Sequence, residues 1–263
     1  MLVAELVELL EQRYPLSWAE SWDRVGLTLG EPSAEVTKVF LAVDCDPRTV
    51  QEAVAAGADF MFTHHPLLLR GVSSVAPTTY KGAVVHRMIK AGVALYTAHT
   101  NGDVASPGVS DALAARLGLL DVRPLIPVGD DGRGHGRIGR LPSAMALADL
   151  AALVSASVGG VRVAGPRTAT VETVAVAGGA GDAWLADAAR AGVDAYLTSD
   201  LRHHPAHEHL AAGGPVLLDV SHWASERPWL DDVAAFLRRE TGLQTIVSDV
   251  DTSPWTFLED GNS

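Results

Sequence analysis

Two adjacent histidines mark the point in this chain where metal chemistry is best supported by residue type and position. His64 and His65 directly follow the apolar run 60–63. A short apolar run bounded by a glycine and a proline predicts a buried strand, so both imidazoles are expected at its carboxyl end. In an open α/β sheet, ligands bind in the crevice beyond that end of the strands. The alternative is a histidine pair in a solvated turn, since histidine also caps and hydrogen-bonds without a ligand.

A second copy of this strand occurs later in the chain. Residues 56–63 and 191–198 share an Ala-Gly start, an aspartate in register and a final threonine. At the same offset, the apolar residues 39–43 align with residues 174–178, and no gap is needed. The alignment therefore predicts two similar segments, each with a strand, a helix and a parallel strand.

The two copies also share a histidine and a carboxylate separated by three residues. His99 and Asp103 form this pair in the first copy, and His222 and Glu226 form it in the second. Each pair follows an apolar strand. We therefore predict an α/β fold of two similar halves related by a pseudo-two-fold axis, with sheets flanked by helices and a metal cleft between the halves.

The residues that would meet in this cleft are suited to divalent metal ions. The predicted ligands come from both halves and are His64, His65, Asp103, His222 and Glu226. Neutral imidazoles and ionised carboxylates suit zinc, manganese or iron better than copper(I), which prefers sulfur. Five protein ligands exceed the needs of one tetrahedral ion. Two ions per chain are therefore expected, roughly 3.5 to 4 Å apart as in two-metal hydrolases.

A further group of histidines follows Asp200 and forms a rival metal site. Its members are His203, His204, His207 and His209. His203 and His207 would share one face of a helix, but the His-Glu-x-x-His order of zinc proteases is absent. We interpret the group as mostly supporting or surface residues, with Asp200 and His203 expected nearest to the cleft.

Two other segments have an interpretation that is mainly structural. Trp22 and Asp23 are expected to be a core aromatic and a turn carboxylate rather than residues of the cleft. Residues 128–137 are rich in glycine and charge, which is typical of a flexible connector or a mobile surface loop. His135, within that segment, is expected only to be solvated. The predicted domains are therefore residues 1–127 and 138–263, joined by the connector 128–137.

Composition limits the cellular setting and the partners. The chain has 263 residues, and no uninterrupted apolar run reaches the roughly 20 residues of a membrane helix, so no membrane contact is expected. Its first residues carry acids where a signal peptide carries Lys or Arg, which predicts a cytoplasmic location. The single cysteine, Cys45, excludes an internal disulfide framework. A net charge of −12 disfavours binding to the negatively charged backbone of a nucleic acid, so no nucleic-acid partner is expected.

Five segments, in this order, carry a more specific pattern. They are Ser-Trp-Asp-Arg-Val-Gly-Leu (21–27), Gly-Ala-Asp-Phe-Met-Phe-Thr-His-His-Pro (57–66), Tyr-Thr-Ala-His-Thr-Asn-Gly-Asp (96–103), Thr-Ser-Asp-Leu-Arg-His-His (198–204) and Ser-His-Trp-Ala-Ser-Glu (221–226). Together they resemble the Nif-three-like dinuclear metal-centre family, whose members are also called GTP cyclohydrolase I type 2 homologues. The resemblance implies a dinuclear site held by the five predicted ligands, with His99 close by. It also implies a toroidal homohexamer whose metal sites face an internal cavity, and longer relatives with an inserted middle domain.

The function that this resemblance implies is a divalent-metal-dependent hydrolase that acts on a small molecule. The reaction named for the family opens the guanine ring of GTP, but no motif in this sequence indicates recognition of guanine. An acidic chain also disfavours a triphosphate unless cations converge on the cavity, the candidates being Arg24, Arg70, Lys81 and Arg202. The alternative is a non-catalytic metal-binding hexameric assembly or interaction protein. A hydrolase must keep one coordination position open, whereas a structural site is closed.

Overall fold

The computed structural model describes residues 1–256, in which helices and strands alternate. The helices are α1 (Val3–Arg13), α2 (Pro47–Ala55), α3 (Tyr80–Ala91), α4 (Thr100–Val104), α5 (Val109–Arg116), α6 (Leu147–Val158), α7 (Leu185–Ala191), α8 (His203–Ala211) and α9 (His222–Thr241). The strands are β1 (Gly26–Leu29), β2 (Lys38–Ala42), β3 (Phe60–Thr63), β4 (Ala94–Thr97), β5 (Leu120–Pro127), β6 (Gly134–Ala146), β7 (Val161–Ala164), β8 (Thr170–Ala180), β9 (Ala195–Ser199), β10 (Val216–Val220) and β11 (Gln244–Val247). Two short 3₁₀ helices span Leu16–Trp18 and Asp182–Trp184. None of the helices in this described range is long and apolar enough to cross a membrane.

The strands form two separate sheets, and each sheet contains a similar unit of three parallel strands. The first sheet has the order β1-β4-β3-β2-β11, in which only β1 runs antiparallel to its neighbour. The second sheet has the order β5-β6-β8-β9-β10-β7, in which β8, β9 and β10 are parallel. Three adjacent parallel strands joined by helices therefore occur in both sheets, β2-β3-β4 in the first and β8-β9-β10 in the second. The predicted α/β fold with two similar halves is confirmed.

Two aspartates explain why the repeated segments look alike in sequence. Asp59 accepts hydrogen bonds from the backbone N–H groups of Thr37 and Lys38, at 2.8 and 3.0 Å. At the equivalent position, Asp194 accepts from the backbone N–H groups of Glu172 and Thr173, at 3.0 and 2.8 Å. Each carboxylate thus joins the residue that precedes one parallel strand to the amino-terminal part of the strand beside it.

Sheet membership differs from the predicted ranges at two places. Strand β5, which falls in residues 1–127, pairs with β6 in the second sheet. Strand β11, which falls in residues 138–263, pairs with β2 in the first sheet. Helix α9 precedes β11, and its residues Trp229 and Val233 are buried in the core of the first sheet. The division of the chain into those two domains stays a prediction, and residues 257–263 lie outside the described part.

The glycine-rich segment 128–137 is part of a β-hairpin. Its last residues, from Gly134, begin strand β6. Arg137 is only 1% exposed, and its guanidinium donates to both carboxylate oxygens of Asp111, each at 2.6 Å. Gly134 allows a close approach of the two strands, because a Cβ there would lie 2.3 Å from the carbonyl oxygen of Ile126. The interpretation of this end of the segment as a mobile loop is therefore wrong.

Candidate metal centre

The predicted ligands lie at the carboxyl ends of parallel strands, where the two halves meet. His64 and His65 directly follow β3. His99 precedes the first residue of α4, and Asp103 lies one helical turn later. His222 is the first residue of α9, and Glu226 again lies one turn later. Positions four apart share one face of a helix, so each helix presents its histidine and its carboxylate side by side.

Four imidazoles in this region are held in the same manner. Each has its Nδ1 atom within hydrogen-bond distance of an oxygen outside the predicted ligand set. The pairs are His64 with the Ala98 carbonyl (3.0 Å), His65 with Asp44 (2.8 Å), His99 with Asp23 (2.8 Å) and His222 with Asp200 (2.7 Å). An oxygen acceptor at Nδ1 favours the tautomer that carries its proton there, which leaves the Nε2 lone pair free for a ligand.

The Nε2 atoms converge on the carboxylate of Glu226. One oxygen, Oε1, lies 3.0 Å from Nε2 of His222 and 3.4 Å from Nε2 of His64. The other oxygen, Oε2, lies 3.1 Å from Nε2 of His65. Asp103 approaches from the opposite helix, with Oδ1 3.5 Å from Nε2 of His64. Glu226 therefore lies between three imidazoles and offers an oxygen to each side.

The donor atoms form two overlapping groups of the size that a metal ion requires. One group is His64, His65 and His99, and the other is His65, His222 and Glu226, with ligand atoms in each group within 4.8 Å of one another. Nε2 of His64 and Oε2 of Glu226 are buried and have no hydrogen-bond partner in the described part of the chain. Buried polar atoms without a partner are costly. A divalent cation would accept both lone pairs, so these residues fit the ions expected from the sequence.

Electrostatic interactions with neighbouring histidines keep the carboxylate of Glu226 ionised. Burial alone would raise the pKa of Glu226, but the neighbouring imidazoles of His65, His64 and His222 outweigh it and keep that pKa well below its usual range. Burial lowers the pKa of His222, yet the carboxylate of Glu226 raises it to about 9. Burial raises the pKa of Asp103, partly opposed by His64. In the absence of metal, protons therefore take the place of cations around Glu226.

Comparison with known protein families identifies one family that matches nearly the whole chain. A family model described as Duf34/NIF3 (NGG1p interacting factor 3) matches residues 1–254. The chain belongs to the DUF34/NIF3 family. A GTP cyclohydrolase 1 type 2 homolog from Streptomyces coelicolor is 48% identical over 266 positions, which cover 97% of this chain and 93% of the relative. One from Mycobacterium tuberculosis is 35% identical over 369 positions, with 97% of both chains covered, so it carries an insertion relative to these 263 residues.

Solved structures agree with this assignment. A hypothetical protein from Staphylococcus aureus superposes with a TM-score of 0.90 at 28% identity, covering 98% of this chain and 99% of its own. A Bacillus cereus protein related to NIF3 has a TM-score of 0.91 at 24% identity, with the same coverage, and shows the common fold. The two-sheet arrangement described above is therefore that of the DUF34/NIF3 family.

Trp22 and Asp23 contribute to the centre of this family member, contrary to the interpretation from sequence. Trp22 is 55% exposed and lies edge-on to His99, with ring centroids 6.0 Å apart, so it is not a core residue. Asp23 is buried and accepts from the backbone N–H of Thr100 at 3.0 Å as well as holding His99. Asp23 thus fixes both the histidine and the start of α4.

Sequence reasoning missed two residues at the ends of equivalent strands. Asp44 follows β2 and holds His65, as described above. Gly179, near the end of β8, has a φ of +70°, and a Cβ there would lie 2.5 Å from Oε1 of Glu226. Asp44 is the residue directly after the aligned segment 39–43, and Gly179 is the residue directly after the aligned segment 174–178. The repeat therefore contained a signal for them, because strand ends in both halves face the centre.

The rival histidine cluster lies on the surface of the described structure. His203 and His207 are exposed on α8, and their rings stack with centroids 5.9 Å apart. His209 is buried, and its Nε2 lies 3.1 Å from the carbonyl oxygen of Pro215. Asp200 reaches the centre through His222, as predicted. His203 makes no hydrogen bond to a predicted ligand within residues 1–256.

A cavity of about 440 Å³ opens beside the predicted ligands. Its walls are formed by Glu20, Trp22, His99, Thr100, Asp103, His135, Gly178, Gly179, Ala180, Trp184, His222 and Glu226. His135 is not merely solvated, since its ring packs against Trp184 with centroids 5.3 Å apart. The cavity therefore brings together residues from both halves and from the hairpin of 128–137.

Proposed function

We propose that this DUF34/NIF3 member is a divalent-metal-dependent hydrolase with a dinuclear centre. The observation that supports it is that four imidazoles are each held at Nδ1 by an oxygen outside the proposed ligand set, and that Nε2 of three of them, His64, His65 and His222, lies within 3.0 to 3.4 Å of the Glu226 carboxylate. The proposed metal ligands are His64, His65, Asp103, His222 and Glu226, with His99 beside them. Supporting contacts of this kind orient metal-binding histidines and raise their basicity.

Each proposed ligand has a distinct task in this arrangement. Glu226 offers one oxygen to the side of His64 and His222 and the other to the side of His65, so it would be a ligand to metal on both sides of the centre. His64 is rigid, because Trp229 packs edge-on against it with centroids 5.3 Å apart. When bound, two ions of zinc, manganese or iron would supply Lewis acidity at the bond to be hydrolysed. Asp103 lies on the cavity wall.

Relatives of this chain carry the name GTP cyclohydrolase 1 type 2 homolog. On that basis we propose hydrolysis of a carbon–nitrogen bond in a small ring compound as the reaction class. Water supplies a hydroxyl group to the carbon and a proton to the nitrogen, so no redox partner is required. The cavity beside the ligands provides space for such a substrate.

Metal analysis tests the centre before any substrate is known. Protein loaded with zinc, manganese or iron and freed of excess metal is expected to hold about two ions per chain. His64→Ala and Asp103→Ala should each lose at least one ion, whereas the controls His86→Ala and Asp249→Ala, outside the centre, should lose none. Full occupancy in both ligand variants would contradict the proposed centre. Loaded protein is then screened for turnover of nucleotides, phosphodiesters and small cyclic amides.

A further inference from the structure

Two of the aspartates that hold an imidazole in the centre are themselves held by a threonine. In both cases one carboxylate oxygen lies 2.8 Å from a histidine Nδ1, and the other oxygen accepts from a threonine hydroxyl. The two sets are His99, Asp23 and Thr100, and His65, Asp44 and Thr252. A carboxylate that is engaged at both oxygens cannot easily rotate away from its imidazole, so each threonine supports the orientation of a histidine.

The two threonines come from very different parts of the chain. Thr100 directly follows its histidine and is the first residue of α4. Thr252 lies 208 positions after Asp44, in the segment that follows β11. Residues 249–256 form no helix or strand, and none of them is buried. The aspartate that holds His65 therefore depends on an irregular segment at the surface.

Hydrogen bonds to the first sheet hold this segment in place. Ser248 is buried, and its backbone N–H donates to the carbonyl of Leu41 in β2 at 2.8 Å. Further along, Nη1 of Arg48 at the start of α2 donates to the carbonyl of Asp251 at 3.0 Å. The segment thus lies at the carboxyl end of β2, and this position brings the hydroxyl of Thr252 to the aspartate that follows the strand.

The hydroxyl of Thr252 supplies what the backbone of Asp44 cannot supply. The hydroxyl of Thr49 donates to the backbone carbonyl of Asp44 at 2.8 Å, which fixes the chain but not the rotation of the carboxylate. Within residues 1–256, the hydrogen-bond partners of the carboxylate are His65 and Thr252. The side chain of Asp44 is 34% exposed, so water can compete for an oxygen that Thr252 leaves free.

We propose, building on the proposed function, that Thr252 is a positioning residue of the metal centre. Its hydroxyl holds the carboxylate of Asp44 in the orientation that fixes His65, and it acts through Asp44 rather than on an ion. The affinity of the ion held by His65 therefore depends on the segment 248–252, which lies far from the ligand in sequence.

Competition between the zinc-loaded protein and a chelating dye tests this role. Thr252→Val keeps the shape of the side chain but removes the hydroxyl. Because a hydrogen bond to a charged group is lost, the ion held by His65 should bind about threefold to tenfold more weakly. Thr252→Ser keeps the hydroxyl and should restore the affinity. The control Ser253→Ala removes the neighbouring hydroxyl, which accepts from the backbone N–H of Trp255 at 3.3 Å, and should change nothing.

A double-mutant cycle separates this role from a general effect on the fold. If Thr252 acts through Asp44, then Thr252→Val should cause no further loss of zinc affinity in the Asp44→Ala background. The same loss in both backgrounds would overturn the proposal. So would an affinity of Thr252→Val within about twofold of the parent protein, or a failure of Thr252→Ser to restore the affinity.

The imidazole proton at Nδ1 of His65 gives a measurement that needs no metal. Nuclear magnetic resonance of metal-free protein with ¹⁵N-labelled histidine reports its exchange with water, and His65→Ala identifies the signal. Exchange should be at least about threefold faster in Thr252→Val than in the parent protein or Thr252→Ser, because the acceptor is less firmly held.

The two measurements together distinguish this proposal from the proposed function. A parent protein that binds no divalent ion contradicts the dinuclear hydrolase, and the exchange of the His65 proton then decides the role of Thr252 by itself. Bound ions together with unchanged affinity and unchanged exchange in Thr252→Val contradict the positioning role alone.

Discussion

A histidine is a dependable metal ligand only when its second nitrogen is fixed, and this condition is met at four positions of the chain. Three of the anchors are aspartates, Asp23, Asp44 and Asp200. The positions of the proposed ligands could be predicted from sequence, because the spacing His99 to Asp103 recurs and strand ends are recognisable, and their role as metal ligands stays a prediction. The anchor Asp23 could not be assigned in this way. Asp44 could be placed at a strand end, because it directly follows the aligned segment 39–43, but its pairing with His65 could not. Each belongs to a loop whose contact with a histidine depends on tertiary structure.

The anchors lead to a prediction at the residue scale. Asp44→Ala leaves His65 free to rotate and to change tautomer, so the affinity of the ion held by His65 should fall about tenfold to a hundredfold. Competition with a chelating dye measures that affinity. Asp249→Ala serves as the control, since its side chain is 90% exposed and, within residues 1–256, pairs with Arg227 alone. Equal affinities in Asp44→Ala and the parent protein would show that the anchor has no role.

At the scale of elements, the parallel strands were predictable and the edge strands were not. Strands β3 and β9 are buried along their whole length, which makes them continuous apolar runs in sequence. Strand β5 is mostly exposed and contains two prolines, so its sequence lacks a strand pattern. Helix α9 begins at His222 and continues through Pro228, a residue type that usually marks a helix start or break, so the sequence alone does not show its first turns.

The repeated aspartates that join the strands give a prediction on acid stability. Burial raises the pKa of Asp59, but hydrogen bonds from Thr37 and Lys38 outweigh it, and the pKa lies below the usual range. The same holds for Asp194 with Thr173 and Glu172. A lowered folded-state pKa contributes stability above the unfolded-state pKa, and that stability is lost as pH falls through the folded-state pKa.

Asp59→Asn and Asp194→Asn remove these titrations. In each variant the free energy of unfolding should therefore decrease less steeply between neutral pH and the acid range than it does in the parent protein. Urea unfolding at a series of pH values measures this. Asp121→Asn, at an exposed surface pair with Arg140, is the control and should keep the parental slope. Parallel curves for all four proteins would refute the common role of the two aspartates.

The hairpin of 128–137 is held by a buried ion pair, which gives a second prediction at this scale. Asp111→Ala would leave the guanidinium of Arg137 buried without its counter-charge, and should lower the free energy of unfolding by about 3 to 5 kcal/mol. Arg140→Ala breaks an exposed pair with Asp121 and should cost no more than about 1 kcal/mol. Denaturant unfolding compares the two. Similar costs for both variants would mean that burial of Arg137 contributes nothing.

At the scale of the whole molecule, each half contributes a strand to the sheet of the other half, and no local sequence pattern predicts this exchange. After β10, helix α9 carries the chain back to the core of the first sheet, and β11 extends that sheet beyond β2. Glu226 therefore belongs to an element that begins at the second sheet and packs on the first. This explains why the convergence of these side chains could be predicted from an alignment of repeats, whereas the division of the chain between the sheets could not. Pairing between residues so distant in sequence depends on the complete fold.

Association of six chains is the prediction for the assembly. The proposal of a closed homohexamer follows from the family resemblance, and exposed apolar side chains are available for contacts, among them Ile89 (62% exposed) and Leu120 (47% exposed). Light scattering during gel filtration should give a mass about six times the 27.6 kDa of one chain. A mass near that of one chain at micromolar concentration would reject the assembly, whatever the metal content.

The hydrolase and the non-catalytic assembly predict different effects of replacing the buried carboxylate of Glu226. Glu226→Gln keeps the size of the side chain but removes the charge that lies among three imidazoles, so ion affinity and turnover of any substrate found in the screen should fall at least about a hundredfold. Folding and molecular mass should change little, because the side chain still fills its place between the sheets. Glu240→Gln, near the other end of the same helix and exposed, is the matched control. Unchanged turnover in a folded, metal-depleted Glu226→Gln variant would reject the metal-dependent hydrolase. The absence of any turnover in the metal-loaded parent protein would favour the non-catalytic assembly.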